Sequence, residues 1–521
     1  MKGNGIKGNG IKQSAVLLLS AALLTSAFGA AATVTAAEAD TPTEAAVYVS
    51  PNGKDGADGS AQRPLRTIGA AKAKANALKK TRAGDITVYF AAGTYRLTDT
   101  AVFSKGDSGG ENQKIIYKAA QGAEVSFTGG YDIPSEAFTP VVNPLIKERL
   151  YENVRNKVLQ VNLRKMGIED YGAVYRSNTY TKEDPGTAAL YVDGFNQTLA
   201  RWPNNDYAMT GTVITSARGS DGSGGVFQYL ENVPDRWKKA NEIWLHGFWA
   251  WDWYDDSLKV EKLDTQKREF TLAQSTSFGM AKGKRYYAFN LLEEIDAPGE
   301  WYLERATGIL YFYPPYDLSG AAVQFVSADK EFLRFENCAN VIVEGITFEN
   351  SCFSGIVVNN SENILVRGCT FRNLGGQGVN IKGGKNCGVA GSDFYDLGKG
   401  GVFLTGGDRI TLTPSGHFVE NSYFTRFALS IKTYVPAISL EGCGFRVSNC
   451  VIHDGPHSAI TTGANDVLIE NCEIYDVCKE TSDAGAYYTG RDWTRQGGVL
   501  RNNVVHDVYG FDGHGAHAFY F

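Results

Sequence analysis

Apolar and polar positions between Asn340 and Leu404 return every 23 residues. Asn340, Asn363 and Asn386 open the units, and Gly345, Gly368 and Gly391 follow at the same interval. Phe348, Phe371 and Phe394 come next, then Gly355, Gly378 and Gly401, with Val358, Ile381 and Leu404 closing each unit. Short alternations such as Ile346/Phe348 and Cys369/Phe371 are strand-like, and the period is too short for a repeat of paired helices. The leucine-rich alternative lacks its L-x-x-L-x-L core. One turn of a parallel β-helix fits, with strands stacking about 4.8 Å apart on the next turn. Residues in register then form ladders, phenylalanines inside and Asn or Gly at the bends. The pattern predicts an all-β chain, a right-handed parallel β-helix solenoid.

The strand restarts less regularly at Asn421-Ser422-Tyr423-Phe424, Asn449-Cys450-Val451-Ile452, Asn471-Cys472-Glu473-Ile474 and Asn502-Asn503-Val504-Val505. Loops intrude near Arg409 to His417 and from Lys479 to Trp493, and solenoid insertions collect on one face, often the binding face. Near the start, Val47 to Ser50 reads as a strand. Thr67 caps an expected helix with Ile68, Ala71, Ala75 and Leu78 at helical spacing, placed to plug the open first coil. Ile86–Phe90, Ile115–Tyr117 and Val125–Phe127 read as the first strands. Asp55 and Asp58 do not fit the alternating calcium-loop pattern and read as a plain turn. From Tyr131 to Asp329 the period vanishes, and this stretch holds seven of the eight tryptophans. Within it, Trp301–Leu303 and Ile309–Tyr313 form an expected hairpin through Thr307-Gly308. The expected organisation is an N-terminal cap with first coils over 46–130, an inserted β-rich module over 131–329 and β-helix repeats over 330–521.

Lys2, Lys7 and Lys12 precede an apolar run from Val16 to Leu24 and small residues around Val34-Thr35-Ala36. That order predicts a secretory signal over residues 1–37, with no membrane association after cleavage and a secreted, cell-surface or periplasmic location. The net charge of -6, without a basic cluster, argues against nucleic acid. All eight cysteines lie between Cys338 and Cys478, inside the repeat, and read as stacked buried thiols, with a Cys450–Cys472 bridge as the alternative. No Cys/His spacing suggests a metal, and no cofactor is implied. Oligomeric state is left open.

Five of the seven histidines (His453, His457, His506, His514 and His517) fall near the C-terminus, and from Gly444 onward ten acidic residues face five basic ones. The densest run is Glu480 to Trp493, where Asp483 precedes small residues and Tyr487, Arg491, Asp492 and Trp493 follow. Glycosidic cleavage needs paired carboxylates, one to protonate the leaving oxygen and one to attack or activate water. Asp454, Asp476 and Asp507 sit at the ladder position of Asn350, Asn373 and Asp396 and read as bend caps, whereas Asp483 has no equivalent in the plain repeats. Trp249, Trp251 and Trp253 alternate with small or acidic residues, so one face of a strand there could stack on sugar rings; Trp237, Trp244 and Trp301 read as core.

Tyr48-Val49-Ser50-Pro51-Asn52-Gly53 with Pro64-Leu65-Arg66-Thr67-Ile68 is similar to the opening of many exported pectate-lyase-like β-helices. Leu199-Ala200-Arg201-Trp202-Pro203-Asn204, Gly299-Glu300-Trp301-Tyr302-Leu303, Gly455-Pro456-His457, Ser482-Asp483-Ala484-Gly485 and Gly490-Arg491-Asp492-Trp493 resemble glycoside hydrolase family 141, which includes α-L-fucosidases and xylanases. The resemblance implies that Asp483 is one catalytic carboxylate. It places a second Asp just after the strand Ala518 to Phe521, where the sequence stops, so a C-terminally incomplete chain is expected. His457, Glu480, Tyr487, Arg491, Asp492, Trp493, His514 and His517 are the candidate supporting or substrate-binding residues. The expected partner is a polysaccharide or oligosaccharide, fucosylated or xylan-like. A polysaccharide lyase, with Lys432 and Arg491 as its cations, and a non-catalytic carbohydrate-binding surface protein are the alternatives.

Overall fold

The computed structural model describes residues 45–219, 224–512 and 514–521, so the expected export signal lies outside the described residues. The chain is all-β and winds as a right-handed parallel β-helix with three strands per coil. One face stacks Ala101–Phe103, Leu333–Glu336, Val379–Lys385, Val402–Gly406, Ile460–Thr462, Gly485–Tyr488 and His517–Tyr520 among its strands. A second face begins with Ala45–Val49, Ile86–Phe90 and Ile115–Ala119, and a third runs from Gly93–Arg96 to Val504–Val508.

The repeated residues explain themselves in this geometry. Phe348, Phe371, Phe394 and Phe424 stack inside the coils, with ring centroids 5.0, 4.8 and 4.6 Å apart and planes within 8° of parallel. Gly355, Gly378 and Gly401 are glycine because a Cβ there would sit 2.7, 2.5 and 2.6 Å from the ring of the next phenylalanine in the stack. Asn340, Asn363, Asn386, Asn421, Asn449, Asn471 and Asn502 all hold φ between 51° and 58°, a left-handed bend that Asn tolerates. Asp454, Asp476 and Asp507 adopt the same conformation (φ 57°, 52° and 47°) as Asn350, Asn373 and Asp396, which accounts for them as bend residues. All eight cysteines are buried and unbridged. The helix Ile68–Lys79 starts at Thr67, whose hydroxyl accepts from the Ala70 amide at 3.2 Å, and buries Ile68, Ala71 and Ala75 in the coil core.

Between Thr128 and Leu333 the chain leaves the solenoid and builds two sheets with antiparallel pairings, one of eight strands and one of seven, with cores of their own. The hairpin pairs Trp301 with Phe312 and Leu303 with Leu310. The coils close over this excursion: Leu333–Glu336 pairs directly with Ala101–Phe103, and Phe335 stacks on Phe103 at 4.7 Å. The excursion folds back onto the later coils. Tyr191 donates to the Asn373 carbonyl at 3.2 Å, and buried Asp255 accepts the Lys432 and Thr433 amides at 2.7 and 3.0 Å. The Trp-rich segment also reaches the loop that bears Asp483, where the Ser482 amide donates to the Asp252 carbonyl at 3.4 Å.

Candidate active site

Ser439, Thr461, Tyr488 and Tyr520 lie in register on the first face. Strand alternation turns each of them outward, and the Tyr488 and Tyr520 rings stack 5.1 Å apart. Asp483 precedes Gly485–Tyr488 in a left-handed turn (φ 53°), and its carboxylate is exposed. Tyr520 donates its hydroxyl to Asp483 Oδ1 at 3.0 Å. Gly485 is required for this approach, since a Cβ there would come within 2.8 Å of the Tyr520 Cβ.

Tyr434 closes the cluster from the preceding loop, its ring 6.1 Å from Tyr488 and 4.7 Å from His457. A tyrosine at φ 54° is a conformational outlier of the kind that clusters at ligand sites. Burial, with the neighbouring Tyr488 and Asp483, raises the Tyr434 pKa, so the hydroxyl stays a donor. The Asp483 hydrogen bond raises the Tyr520 pKa in the same way, while Arg491 pulls in the opposite direction on both tyrosines. Trp253 stands 6.4 Å from Tyr434, and Trp251 lies nearly parallel to Trp253 (12°, 6.3 Å).

Three acids occupy the run from Glu480 to Trp493, and two are neutralised. Glu480 receives Lys432 Nζ and the Tyr207 hydroxyl, both at 3.0 Å. Burial pushes its pKa up, but Lys432 more than offsets this and holds it below the ordinary value. Asp492 binds Arg409 at 2.8 Å and the Thr494 amide and hydroxyl, bonds that hold its pKa well below the carboxylate range. Asp483 alone of the three has no ion pair among the described residues.

Several sequence expectations change here. Tyr487 pairs with Ile460 and points into the core, 5 % exposed; its neighbour Tyr488 is the residue on the outer face. Trp249 is also core: it is 2 % exposed, donates to the Asp256 carbonyl at 2.9 Å and stacks on Tyr286. The Trp249–Trp253 segment is a turn between the strands Trp244–Gly247 and Asp256–Asp264, which is why alternation there does not sort the rings onto one face. His457 is buried and neither ring nitrogen has a hydrogen-bond partner, so its contact with the cluster is ring packing on Tyr434. Burial drives its pKa to about 3, leaving it neutral. Trp493 is almost fully exposed, His514 is exposed, and His517 sets its ring 5.2 Å from Tyr520. Tyr434, Tyr488 and Tyr520 are the cluster members that sequence reasoning did not single out. The one signal for Tyr520 was its place on the strand after Asp483.

A separate cavity of about 630 Å³ lies between the excursion and the coil bends at Ser351, Gly375 and Gly398, and no member of the Asp483 cluster lines it. Among the described residues, no group of three or more His, Cys, Asp or Glu side chains is placed to hold a metal ion.

A family profile described as "Right handed beta helix region" matches residues 331–415. Among solved structures, one described as a glycoside hydrolase is similar at 13% identity and a TM-score of 0.55, over 88% of this chain and 96% of that one. A complex of XylC with xylose (12% identity, TM-score 0.46, 83% of this chain and 64% of that one) is also similar. So is pectate lyase Pel9A, at 9% identity and a TM-score of 0.36, over 88% of this chain and 78% of that one. No curated protein matches the sequence. At 13% identity the likeness to the glycoside hydrolase structure is one of fold, and with the family profile it agrees with the architecture read from the ladders: the chain is a right-handed parallel β-helix.

Proposed function

We propose that the chain is an exported glycoside hydrolase, resembling glycoside hydrolase family 141, that cleaves a neutral plant-type polysaccharide, fucosylated or xylan-like. Asp483 is one member of its carboxylate pair. The observation that carries this reading is that Asp483 is the acid of its loop without an ion pair, exposed beside the stacked rings of Tyr488 and Tyr520, with Tyr434 next to Tyr488. A sugar entering there meets hydroxyl donors around the carboxylate and the Trp251/Trp253 pair beyond Tyr434. Aromatic faces stack on sugar C–H surfaces, and the hydroxyls orient the ring. The lyase alternative needs cations for a uronate carboxylate, and Lys432, one of its two candidates, is neutralised by Glu480. The glycoside hydrolase structure, similar over most of both chains, supports the fold on which this reading rests.

The test is incubation with fucosylated xyloglucan, xylan oligosaccharides and polygalacturonate. Reducing sugar should appear from a neutral substrate. Asp483→Asn should lower the rate by about 10²-fold or more with an unchanged circular dichroism spectrum. Unsaturated, ultraviolet-absorbing products from polygalacturonate would overturn the proposal.

A further inference from the structure

The cavity between the excursion and the coil bends, about 630 Å³, falls within the range of small-molecule sites, about 300–1,000 Å³. Its lining decides what can enter. Tyr287 and Phe289 stand half-buried in the wall. Phe195 and Leu429 also line it and are 73 % and 43 % exposed, so the cavity opens to solvent on their side. Thr187, Asn196 and Thr198 present hydroxyl and amide side chains that make no hydrogen bond among the described residues. Aromatic faces interleaved with free hydroxyls and amides are the surface a sugar needs, its C–H faces stacking and its hydroxyls exchanging hydrogen bonds.

Four charged side chains line the cavity, and two of them are neutralised. Arg176 binds Asp256 through Nε and Nη2 at 3.1 and 2.6 Å, and Asp396 accepts Arg426 at 2.6 and 2.9 Å. Lys399 and Arg201 have no carboxylate partner among the described residues. Lys399 is 2 % exposed, and its ammonium donates to the Thr181 carbonyl at 3.3 Å and to the Asp184 carbonyl, which leaves one of its three N–H groups. Arg201 lies over the Tyr287 ring at 3.6 Å and donates to the Pro203 and Asp206 carbonyls at 2.9 and 2.8 Å, which leaves Nη1. Burying an ammonium without a counter-charge is costly, so Lys399 facing a cavity with Arg201 marks a place for an anion. The one lining acid is held by Arg426, so the chemistry of the cavity is binding and not cleavage by a carboxylate pair.

We infer that this cavity is a binding site for an acidic sugar, its carboxylate held by Lys399 and Arg201, its ring against Tyr287 and Phe289, with Phe195 at the entrance. The site is separate from the Asp483 cluster and does not depend on the glycosidase reading, since Asp483, Tyr434, Tyr488 and Tyr520 are absent from its lining. Burial lowers the Lys399 pKa to about 8, although Asp184 and Glu183 pull the other way, Glu183 being itself paired with Lys382. The charge that holds the carboxylate is therefore present at neutral pH and lost as pH rises through that value.

The test is calorimetric titration of the full chain with aldobiouronic acid (glucuronic acid linked to xylose) and with xylobiose, its counterpart without the carboxylate. At pH 7 the acid should bind about tenfold or more tightly than xylobiose, the return on a charge-assisted hydrogen bond. Lys399→Met should remove that preference, and Phe195→Ala, a change at an exposed position, should weaken both sugars. In wild type the preference should shrink between pH 7 and pH 9. Should Lys399→Met fail to fold, Phe195→Ala and the pH series decide the matter. Asp483→Asn should bind the acid as wild type does. Equal affinity for the two sugars, binding of neither, or a preference that survives Lys399→Met would overturn the inference. Loss of binding in Asp483→Asn would overturn it as well, by moving the ligand to the Asp483 cluster.

Discussion

Asp255 is the residue through which the excursion fixes the position of Tyr434, and replacing it tests that link. Asp255 has no exposed surface, and its Oδ2 accepts the Lys432 amide while its Oδ1 accepts the Thr433 amide and hydroxyl. The next residue, Tyr434, is held at φ 54°, a conformation that costs a non-glycine residue about 1–3 kcal/mol. In Asp255→Asn one oxygen remains to serve Thr433, but an NH₂ group then faces the Lys432 N–H. A buried donor left without an acceptor costs about 1–3 kcal/mol, comparable to the strain it has to hold. Opening of the Lys432–Tyr434 loop should become favourable by that amount, and the Lys432 amide should exchange with solvent deuterium roughly 5- to 150-fold faster. Hydrogen exchange on the peptide containing Lys432 and Thr433 reads this directly, independent of any substrate. Removing a desolvated carboxylate also relieves a cost: burial pushes the Asp255 pKa to about 6. Global stability is therefore the wrong readout, and local exchange the right one. Unchanged protection at Lys432 and Thr433 would refute the claim that Asp255 anchors the loop.

The coils were legible because each ladder position obeys one constraint, repeated. A phenylalanine must stack on its neighbour, a bend must tolerate left-handed φ, and the glycine beside each ring must lack a Cβ. Asp483 was legible for a different reason: it has no counterpart in the plain repeats, although it shares the left-handed φ of their bends (53°). The face of Tyr487 was not, because a strand's two faces are assigned by register and a one-residue slip exchanges them; only the pairing with Ile460 decides it. The two sheets of the excursion carry no repeat, and only their tight Thr307-Gly308 hairpin announced itself locally. Trp249 to Trp253 had the alternation of a strand, but the segment must turn so that Asp255 reaches Lys432. That is a long-range contact between residues 177 apart, invisible to any local period. Tyr434 belongs to the same class, and what marks it is a strained backbone angle.

Two further predictions concern the scaffold. Phe371 is fully buried between Phe348 and Phe394, so Phe371→Ala should cost about 3–5 kcal/mol, read as a lower urea midpoint; a loss below about 1 kcal/mol would contradict the ladder as a source of stability. The second is a pH dependence. Burial raises the pKa of Asp255 to about 6, of Glu300 to about 7 and of Glu294 to about 8. A carboxyl with a raised folded pKa holds its proton in the folded state where the unfolded chain has released it. Between the unfolded value near 4 and the folded values, the native state therefore binds more protons, and stability falls as pH rises. Glu480 works in the opposite sense, since its folded pKa is depressed, but its contribution is already complete above pH 5. Scanning calorimetry should show the excursion melting at higher temperature at pH 5 than at pH 8. Glu294→Gln isolates one group: its amide oxygen can still accept the Trp237 indole N–H, bonded to Glu294 at 2.6 Å, while the titration is gone. The variant should therefore depend less on pH than wild type, by about 1.4 kcal/mol for each pKa unit removed. If wild type and Glu294→Gln fall in parallel from pH 5 to 8, the buried acids of the excursion are not what its stability senses.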